Sequence, residues 1–547
     1  MVKPTNAKEL FSMMTLLLVL AAPTMAVDVT LNSGTKYQTI EGFGGGFMFG
    51  IWPYGRRTKD ALYDSIFVSA RCNIVRIGNW YNPQKPDEIP DEVPMMKEIQ
   101  EKFPQVKVTI ASWTPPAYLK QNDTIAGKIG DQYLSLKKQN GDFIYDQYGD
   151  YWKQSIECFQ NGGVKLHWIS IQNEPDWPAD YEGCMMVPNS SFGDYAVYGK
   201  ALDAVYSKVS SLGVPLIACD NTGPEGNWLA NKNATTEVYL QNIDLSKIAA
   251  VSHHFYNGRD ITRMRSLKQN YGSKPRFQTE YLINETATDA AWFEHVKLIS
   301  DALIEEEVSM YCIFALAYKP ASTHTFFSID TLTDNYSIRP IYYGFKHYSK
   351  SIGRGWKRIG ASGGSGTLKV SAYANSAGDS AAVVLVNTGG ATTVTLKGIP
   401  SAVDTGEVFQ TTKAGGENLS KKYQRIAGFG KTPSTIQLDG SSITTVDLWK
   451  YEKPVGVTAS LMERKSLFLH ASLNRGNRIV ATVSLRQGQV VTLTCTDVTG
   501  KLIDRSTVRG VPGGTVKHTF NGPFAGGTYL VKMEGTGAGG VTKVVVP

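Results

Sequence analysis

Two glutamates, each placed directly after a short apolar run, are the residues best suited to chemistry in this chain. Glu174 follows the run 168–172, and Pro175 ends the predicted strand because proline cannot donate to a sheet ladder. Glu280 follows the run 275–279. Hydrolysis of a glycosidic bond requires two carboxyl groups, one protonated and one ionised. A single glutamate would equally fit a solvated loop, so the prediction of glycoside hydrolysis depends on the presence of both glutamates.

Further polar and aromatic residues follow other apolar runs and would surround the glutamate pair. Trp113 offers a flat face on which a sugar ring can stack. His254 and Tyr256 are two residues apart on a strand, so both would face the same side, where Tyr256 could donate to Glu280. A core-packed histidine is the structural alternative for His254. Arg76 would orient Glu280 through charge-assisted hydrogen bonds.

The other predicted substrate-binding residues lie beside these positions in the sequence. They are Trp80, Trp177, Tyr281 and Lys319. Lys319, after the eighth apolar run, could meet an acidic group of a substrate, or it could be a solvated loop residue.

No metal ion or other cofactor is expected. The six cysteines, at positions 72, 158, 184, 219, 312 and 495, show no CxxC spacing. The adjacent His253 and His254 would point to opposite faces of a strand and could not easily bind one ion. We also expect no disulfide framework, because Cys72, Cys219 and Cys312 lie on or beside predicted strands and fit small core positions.

The elements that must position these residues alternate between strand and helix. Helical segments with apolar residues every three to four positions separate most of the apolar runs, as at 58–70, 148–161, 192–212 and 287–306. This order predicts a (β/α)8 TIM barrel, with strands four and seven facing each other across its mouth. A doubly wound sheet is the rival, but no GxGxxG motif follows a strand. The eight runs are 39–43, 73–78, 106–112, 168–172, 215–220, 248–253, 275–279 and 310–317.

Short alternating runs separated by Gly, Ser and Asn replace this pattern from about residue 355, and they predict antiparallel sheet. Residues 27–31 show the same alternating pattern, so the side domain would be formed by segments that precede and follow the barrel in the sequence. The predicted order is a signal peptide at 1–26, side β-domain at 27–37, barrel at 38–354, side β-sandwich domain at 355–451, linker at 452–466 and C-terminal β-sandwich at 467–547.

Charge and hydropathy give the expected location and exclude some partners. Lys3 and Lys8 precede an apolar run and small residues that end at Ala26, which is typical of a secretory signal peptide, although a buried helix is the alternative. No later stretch is long enough to span a membrane. The whole chain has a net charge of +7. Residues from 455 onward carry 11 Lys and Arg against 4 Asp and Glu, so this part alone accounts for the net charge of the chain. The remaining chain is therefore near neutral, and we expect no nucleic-acid partner.

The motifs SIQNEPDW, DYEGC, QTEY, SHHFY and WTPP resemble glycoside hydrolase family 30, and the first most resembles its bacterial glucuronoxylanase and xylanase branch. The resemblance covers about residues 27–450. It implies that Glu174 is the acid/base, that Glu280 is the nucleophile and that Asn173 binds the 2-hydroxyl of the sugar being cleaved. One departure is the loop after the eighth strand, which has no arginine before Arg339, whereas that branch binds glucuronate there through arginine.

These features predict a secreted, retaining endo-β-1,4-xylanase without strict dependence on glucuronate.

The predicted substrate is xylan, and the chain is expected to act as a monomer. The alternatives are a strict glucuronoxylanase, a β-1,6-glucanase, a glucosylceramidase-like enzyme and a non-catalytic glycan-binding protein. The two carboxylates argue against the last of these. The C-terminal module would serve secretion or attachment to the cell surface.

Overall fold

The protein is described here by a computed structural model. It describes residues 26–47, 57–177, 179–226, 233–283, 291–319, 325–330, 332–413, 419–430, 435–450, 469–473, 479–484, 490–497, 501–509, 515–521, 524, 527–535 and 538–546. The predicted signal peptide up to residue 25 and the predicted linker at 452–466 lie outside these ranges.

Eight parallel strands close into a barrel, which confirms the predicted fold class. Each strand pairs with its neighbours in chain order, and the eighth pairs with the first. We number them β1 (Gly42–Gly46), β2 (Ile74–Gly78), β3 (Lys107–Ala111), β4 (Leu166–Ser170), β5 (Leu216–Asn221), β6 (Ile248–His254), β7 (Arg276–Glu280) and β8 (Val308–Ile313).

One helix follows each barrel strand. The helix after β1 continues as a π-helical turn at Asp64–Ser69, and the helix after β7 continues as another at Ala302–Glu306. The helices are α1 (Lys59–Tyr63), α2 (Glu92–Lys102), α3 (Tyr145–Asn161), α4 (Tyr198–Val209), α5 (Thr236–Gln241), α6 (Ile261–Tyr271), α7 (Trp292–Asp301) and α8 (Pro340–Ser349).

The helix predicted at 192–212 is shorter in the structure, because α4 begins only at Tyr198. The two residues before it, Ala196–Val197, form a strand that pairs in parallel with Met186–Val187. This pairing holds the segment before α4 in an extended conformation, which overrides its apolar helical spacing.

The barrel interior is filled by side chains from several strands, so the sheet encloses a packed core. This cluster consists of Ile74, Trp168, Ile217, Ala250, Phe277, Met310 and Cys312. The glycines of β1 allow it to lie close to β2, since a Cβ on Gly44 would lie 1.8 Å from the carbonyl oxygen of Ile74. A side chain at this position would therefore separate the two strands.

The loops that connect the barrel strands and helices contain short elements of their own. Three 3₁₀ turns at Ala117–Leu119, Gln121–Asp123 and Ser190–Phe192 follow β3 and β4, and two more, at Ser210–Leu212 and Leu245–Lys247, follow α4 and α5. The remaining short strands are Lys128–Ile129, Gln132–Tyr133, Lys138–Gln139, Asp142–Phe143, Ala315–Tyr318, Thr325–Ile329 and Tyr336–Ile338.

The side domain is one continuous sheet of nine strands, rather than the two separate sheets of a simple sandwich. Its two halves are joined because Val27–Thr39 pairs in parallel with Thr392–Lys397 and antiparallel with Lys357–Ser362. The other strands are Leu368–Ala374, Ser380–Asn387, Thr405–Lys413, Leu419–Gly430, Ile436–Leu438 and Ser442–Trp449.

Alternation along these strands gives the side sheet two apolar faces. Val383 and Val446 belong to a core within the side domain. Val384 and Ile443, on the opposite face, belong to the same cluster as the residues between the barrel and its helices. The side sheet and the barrel therefore share one continuous core.

The chain divides into two compact units, residues 1–451 and 452–547. The second unit contains a three-stranded sheet and a four-stranded sheet. Their strands are Leu469–Leu473, Ile479–Ser484 and Thr515–Thr519, and Val490–Asp497, Leu502–Arg509, Gly527–Gly535 and Ala538–Val546. No helix in the described part of the chain is both long and apolar enough to cross a membrane.

Candidate active site

The two predicted catalytic glutamates meet at the mouth of the barrel. Glu174 lies four residues beyond the end of β4, and Glu280 is the last residue of β7. One carboxylate oxygen of Glu174, one of Glu280 and one ring nitrogen of His254 all lie within 4.8 Å of one another. The Glu280 side chain is 5% exposed and that of Glu174 is 12% exposed. Both carboxyl groups are therefore largely removed from water but open towards the same cleft.

Arg76 holds Glu280 from beneath the cleft. This buried side chain on β2 donates from Nη1 to Glu280 Oε2 at 2.5 Å. Its Nη2 donates to Asn173 Oδ1 at 2.6 Å and to Asp220 Oδ2 at 3.2 Å. The guanidinium carbon also lies 4.7 Å from the ring centroid of Trp113. One cation thus fixes the positions of groups from β4, β5 and β7.

His254 contacts the other glutamate. Its Nδ1 lies 2.9 Å from Glu174 Oε1, and its Nε2 lies 3.5 Å from Nη2 of Arg76. Because arginine can only donate, Nε2 must be the unprotonated nitrogen, and the proton on Nδ1 is donated to Glu174. Burial lowers the pKa of His254 to about 4, so the imidazole is neutral at neutral pH.

The environments of the two glutamates differ in charge. Burial raises the pKa of Glu174 to about 7, and its nearest donor is the neutral His254. Burial also raises the pKa of Glu280, but Arg76 and the Tyr256 hydroxyl act in the opposite direction. Glu174 is therefore suited to carry a proton at neutral pH, while Glu280 is held as a carboxylate by a direct ion pair.

Aromatic side chains form nearly half of the described lining of the cleft around the glutamates. Tyr256 donates to Glu280 Oε1 at 2.9 Å, and Trp177 donates from Nε1 to the Tyr181 hydroxyl at 3.0 Å. The cleft has a volume of about 730 Å³. Its described lining is Trp113, Glu174, Trp177, Tyr181, Glu182, Thr222, Tyr256, Asn257, Arg259, Glu280, Tyr281, Leu282, Ile283, Phe314 and Tyr318.

The predicted site residues fall into two layers. Trp113, Trp177, Tyr256 and Tyr281 line the cleft with the two glutamates. Arg76, Asn173 and His254 are buried and contact one another or a glutamate. These contacts bring the predicted residues together, and their roles in catalysis stay predictions.

Trp80 and Lys319 lie at the periphery. Trp80 stacks on Trp113, with ring centroids 6.0 Å apart, and so supports the platform. Lys319 is exposed, and its Nζ lies 5.4 Å from the ring centroid of Tyr318. It is not among the described residues that line the cleft. His324, the other residue of this loop that could carry a positive charge, lies outside the described residues.

Two buried aspartates were not singled out from the sequence. Asp220, in β5, accepts from Arg76 and from the Thr279 hydroxyl at 2.7 Å. Asp176 accepts from the backbone N–H of Thr222 at 2.9 Å and from its hydroxyl at 2.7 Å. The available signals were an acid at the end of a predicted barrel strand and a second acid two residues after Glu174.

The nearby atoms of Glu174, His254 and Glu280 could also surround a cation. A positive charge is already present there, because Arg76 forms an ion pair with Glu280 at 2.5 Å. A metal ion would have to overcome repulsion from this buried guanidinium. The donor set therefore fits a protonated acid beside an ion-paired carboxylate better than a metal centre.

Known proteins that are similar to this chain include glycoside hydrolases of family 30. Residues 80–187 match the model described as the glycosyl hydrolase family 30 TIM-barrel domain. Glucuronoxylanase XynC of Bacillus subtilis (strain 168) is 24% identical over 372 residues, which are 64% of this chain and 75% of that protein. A Caenorhabditis elegans protein named as a glucosylceramidase is 24% identical over 185 residues, 29% of this chain and about a third, 34%, of that protein.

Solved structures share the fold at low identity. The family 30 subfamily 8 xylanase Xyn30A of Clostridium acetobutylicum has a TM-score of 0.59 at 20% identity, covering 78% of this chain and all 100% of that one. The endo-β1,6-glucanase BT3312 has a TM-score of 0.59 at 18% identity, covering 79% and 94%.

The closed barrel with paired carboxyl groups at the ends of β4 and β7 is that of a glycoside hydrolase. More particularly, it is similar to the barrels of glycoside hydrolase family 30, whose model matches residues 80–187 of this chain.

Proposed function

We propose that this chain is a secreted, retaining endo-β-1,4-xylanase that does not strictly depend on glucuronate side groups. The observation that carries the mechanism is the approach of an oxygen of Glu174 to one of Glu280, within 4.8 Å. Retaining enzymes place their carboxyl groups about 5–5.5 Å apart, whereas inverting enzymes leave about 6.5–9.5 Å for a water molecule. The short separation supports direct attack by Glu280 on the sugar.

In the first step, a carboxylate oxygen of Glu280 forms a bond to the anomeric carbon, and the bond to the leaving oxygen breaks. Glu174 gives its proton to that oxygen. Arg76 and Tyr256 position Glu280 through the hydrogen bonds described above. The products are a glycosyl ester on Glu280 and a shortened saccharide with a free hydroxyl group.

In the second step, the ionised Glu174 takes a proton from water, and the water oxygen attacks the anomeric carbon. The ester bond to Glu280 breaks and releases the second saccharide with its original anomeric configuration. His254 donates to Glu174 from Nδ1 and so orients its carboxyl group. Asn173, held by Arg76, binds the 2-hydroxyl of the sugar.

Xylan is supported as the substrate by the similarity to glucuronoxylanase XynC and by the row of aromatic faces in the cleft. A β-1,6-glucan is the second candidate, because endo-1,6-β-D-glucanase neg1 of Aspergillus fumigatus is 27% identical over 108 residues, 17% of this chain and 22% of that protein. A glucosylceramidase-like activity is the third.

Lack of strict dependence on glucuronate is supported by the loop after β8. Its one described cation, Lys319, is exposed and lies outside the cleft lining. A lysine is also a point charge that orients a carboxylate less than the planar fork of arginine does. Lys319→Ala should therefore leave the rate on xylan unchanged within about twofold.

The test is the activity of the purified chain on xylan, β-1,6-glucan and an aryl β-glucoside, with proton NMR of the first-formed product. We expect xylan to be cleaved internally with retention. Turnover restricted to β-1,6-glucan or to the aryl glucoside would assign the corresponding alternative. An inverted product would overturn the double displacement.

We further propose that the chain is exported, that it is a monomer and that its C-terminal unit serves attachment. The charged and apolar N-terminal residues support export. The separate second unit supports an accessory role for residues 452–547. Fractionation of the producing cells and light scattering of the purified chain test location and oligomeric state.

A further inference from the structure

A buried histidine and a buried glutamate form a pair behind the active site. His253, the residue before the end of β6, has its Nε2 2.7 Å from Oε1 of Glu306, and both side chains are 0% exposed. Glu306 is the last residue of the π-helical turn that continues α7. Turns of this kind are frequent at functional sites. The pair joins the barrel wall to its helical layer, outside the cleft.

The other ring nitrogen of His253 bonds the backbone of the next residue. Its Nδ1 lies 2.8 Å from the carbonyl oxygen of His254. Because a carbonyl oxygen can only accept, Nδ1 carries a proton, and a second proton lies between Nε2 and Glu306. Burial lowers the pKa of His253, but the Glu306 carboxylate and the His254 carbonyl outweigh it and leave that pKa above its usual value. The pair therefore favours an imidazolium beside a carboxylate.

The two adjacent histidines point to opposite faces of β6, as successive residues of a strand do. His253 points to Glu306 in the helical layer, and His254 points into the barrel mouth, with its Nδ1 2.9 Å from Glu174. The peptide group of His254 is shared by both faces. Its carbonyl accepts from His253, and its side chain contacts the proposed acid.

The strand pairing is irregular at this point. His253 lies opposite Gln278 of β7, whereas His254 lies opposite Glu280, so β7 has one extra residue here. An extra residue disrupts the regular ladder of hydrogen bonds between two strands. The bond from His253 therefore supplies a further constraint on the direction of the His254 carbonyl.

The charge of the pair also acts on His254. Burial is the main cause of the low pKa of His254, and the positive charges of Arg76 and His253 likewise disfavour its protonation. A protonated His254 would stabilise the ionised form of Glu174 and so remove the proton that the first step requires. His253 thus helps to keep His254 in the neutral state that suits an acid.

Stability alone does not account for this pair. Replacing a buried ion pair with apolar residues of similar volume is often neutral or stabilising, because both charges lose their hydration. The second carboxylate oxygen of Glu306 is also buried and has no hydrogen-bond partner among the described residues. A buried polar group with an unsatisfied oxygen points to a functional requirement.

We propose that His253, held by Glu306, is a positioning residue that acts through His254 on the proposed acid/base Glu174. It fixes the carbonyl of His254 and thereby directs the imidazole towards the Glu174 carboxyl group. This inference rests on the proposed retaining mechanism and deepens it, because it assigns the residues that keep the acid oriented and protonated.

The experiment compares a substrate that needs the acid with one that does not. Xylan has a poor leaving group, a dinitrophenyl β-xylobioside has a good one, and kcat/KM covers the formation of the glycosyl ester on both. His253→Gln keeps a donor towards Glu306 and loses the bond to the His254 carbonyl. It should lower kcat/KM by about thirtyfold on xylan and by less than about threefold on the aryl glycoside. Parallel losses on the two substrates, or no loss on either, would overturn the proposal.

Two further variants divide the pair into its parts. His253→Asn places an amide nitrogen near the position of Nδ1, so it should recover most of the rate on xylan. Glu306→Gln keeps an acceptor for Nε2 without the charge, so its selective loss on xylan should be smaller, about fivefold. It also serves as the test if His253→Gln does not fold. A loss in His253→Asn as large as that in His253→Gln would contradict the role of the carbonyl bond.

His347 on α8 provides the matched control. This histidine is fully buried and is bonded at both nitrogens, to the hydroxyls of Thr445 and Thr411 in the side sheet at 2.8 and 2.9 Å. His347→Gln should lower the midpoint of thermal unfolding and leave both values of kcat/KM per folded molecule unchanged. A selective loss on xylan in this variant as well would show a general effect of buried histidines and would overturn the proposal.

A measurement without substrate separates this inference from the xylanase proposal. Nitrogen-15 NMR reports the protonation of His254, whose signals are assigned by their loss in His254→Gln. In the native chain this ring should stay neutral until the pH falls to about 4, and in His253→Gln it should gain a proton at a higher pH. If xylan is not cleaved but this difference is observed, the xylanase function fails and the positioning role stands. An unchanged tautomer and titration of His254 in His253→Gln would overturn the inference.

Discussion

The backbone N–H of Glu174 donates a hydrogen bond of 2.9 Å to the carbonyl oxygen of Asp220. Both residues have positive φ angles, 44° for Glu174 and 50° for Asp220, a left-handed conformation that is uncommon outside glycine. The carboxylate of the same Asp220 accepts from Arg76. One aspartate therefore joins the backbone of the proposed acid to the cation that holds the proposed nucleophile.

Asp220→Asn should lower kcat/KM by roughly a hundredfold, because a buried arginine loses one of its two carboxylate partners. The charge of Asp220 also raises the pKa of Glu174, so its removal should lower that pKa from about 7. Glu174 would then lose its proton at a lower pH, and the alkaline limb of the pH profile would move down.

The matched control is Asp203→Asn, which breaks the surface ion pair with Lys247 at 2.7 Å and should change neither quantity. If Asp220→Asn lowers only the yield of folded protein and leaves the pH profile in place, Asp220 has a structural role alone.

Asp176 should position Glu174 by fixing the segment two residues beyond it to Thr222. Its carboxyl group bonds the backbone and the hydroxyl of Thr222, and burial raises its pKa to about 7. Asp176→Ala leaves the Thr222 N–H without this partner and should lower kcat by roughly ten- to a hundredfold. Asp176→Asn keeps an acceptor for the N–H and should recover most of the rate. Equal losses in kcat for the two variants would contradict this positioning role.

The pH dependence follows from the same geometry. Glu174 must be protonated to act as the acid, so kcat/KM on xylan should fall as pH rises through about 7. An aryl glycoside with a good leaving group does not need that proton. With this substrate, the rate of forming the glycosyl ester should therefore fall less as the pH rises. Identical alkaline limbs on both substrates would show that another group controls this titration.

The barrel and the glutamate pair could be predicted from the sequence because both depend on regular features. Apolar runs alternate with helical segments, and the C-terminal ends of parallel strands meet at one edge. Once Glu174 and Glu280 are assigned to the ends of strands four and seven, they are expected to lie close together. His254 and Tyr256 followed from the two-residue period of a strand.

Contacts that depend on side chains far apart in the sequence could not be predicted in this way. Arg76 and Asp220 are separated by 144 positions, and nothing in the local pattern at Asp220 indicates an arginine partner. Arg259 lies on a loop, whose path no periodicity fixes. The continuous side sheet likewise depends on Val27 pairing with Val394.

Substitution of the two glutamates should separate their roles. Glu280→Gln removes the nucleophile and should lower turnover of every substrate by at least about 10⁴-fold. Glu174→Ala removes the acid/base, so loss should be severe on xylan and milder for a good leaving group. Azide, which needs no general base, should restore part of the Glu174→Ala rate and give a β-glycosyl azide. Rescue of Glu280→Gln instead would exchange the two assignments.

The second unit should be dispensable for catalysis. A chain that ends after Tyr451 retains the barrel, the side sheet and every residue of the candidate site, because the compact units divide between residues 451 and 452. It should keep the full rate on soluble xylan, and its thermal unfolding should match one of two transitions of the full-length protein. Loss of activity on insoluble xylan alone would identify residues 452–547 as a binding module. A truncated chain that is folded but inactive on soluble xylan would show that the second unit contributes to the active site.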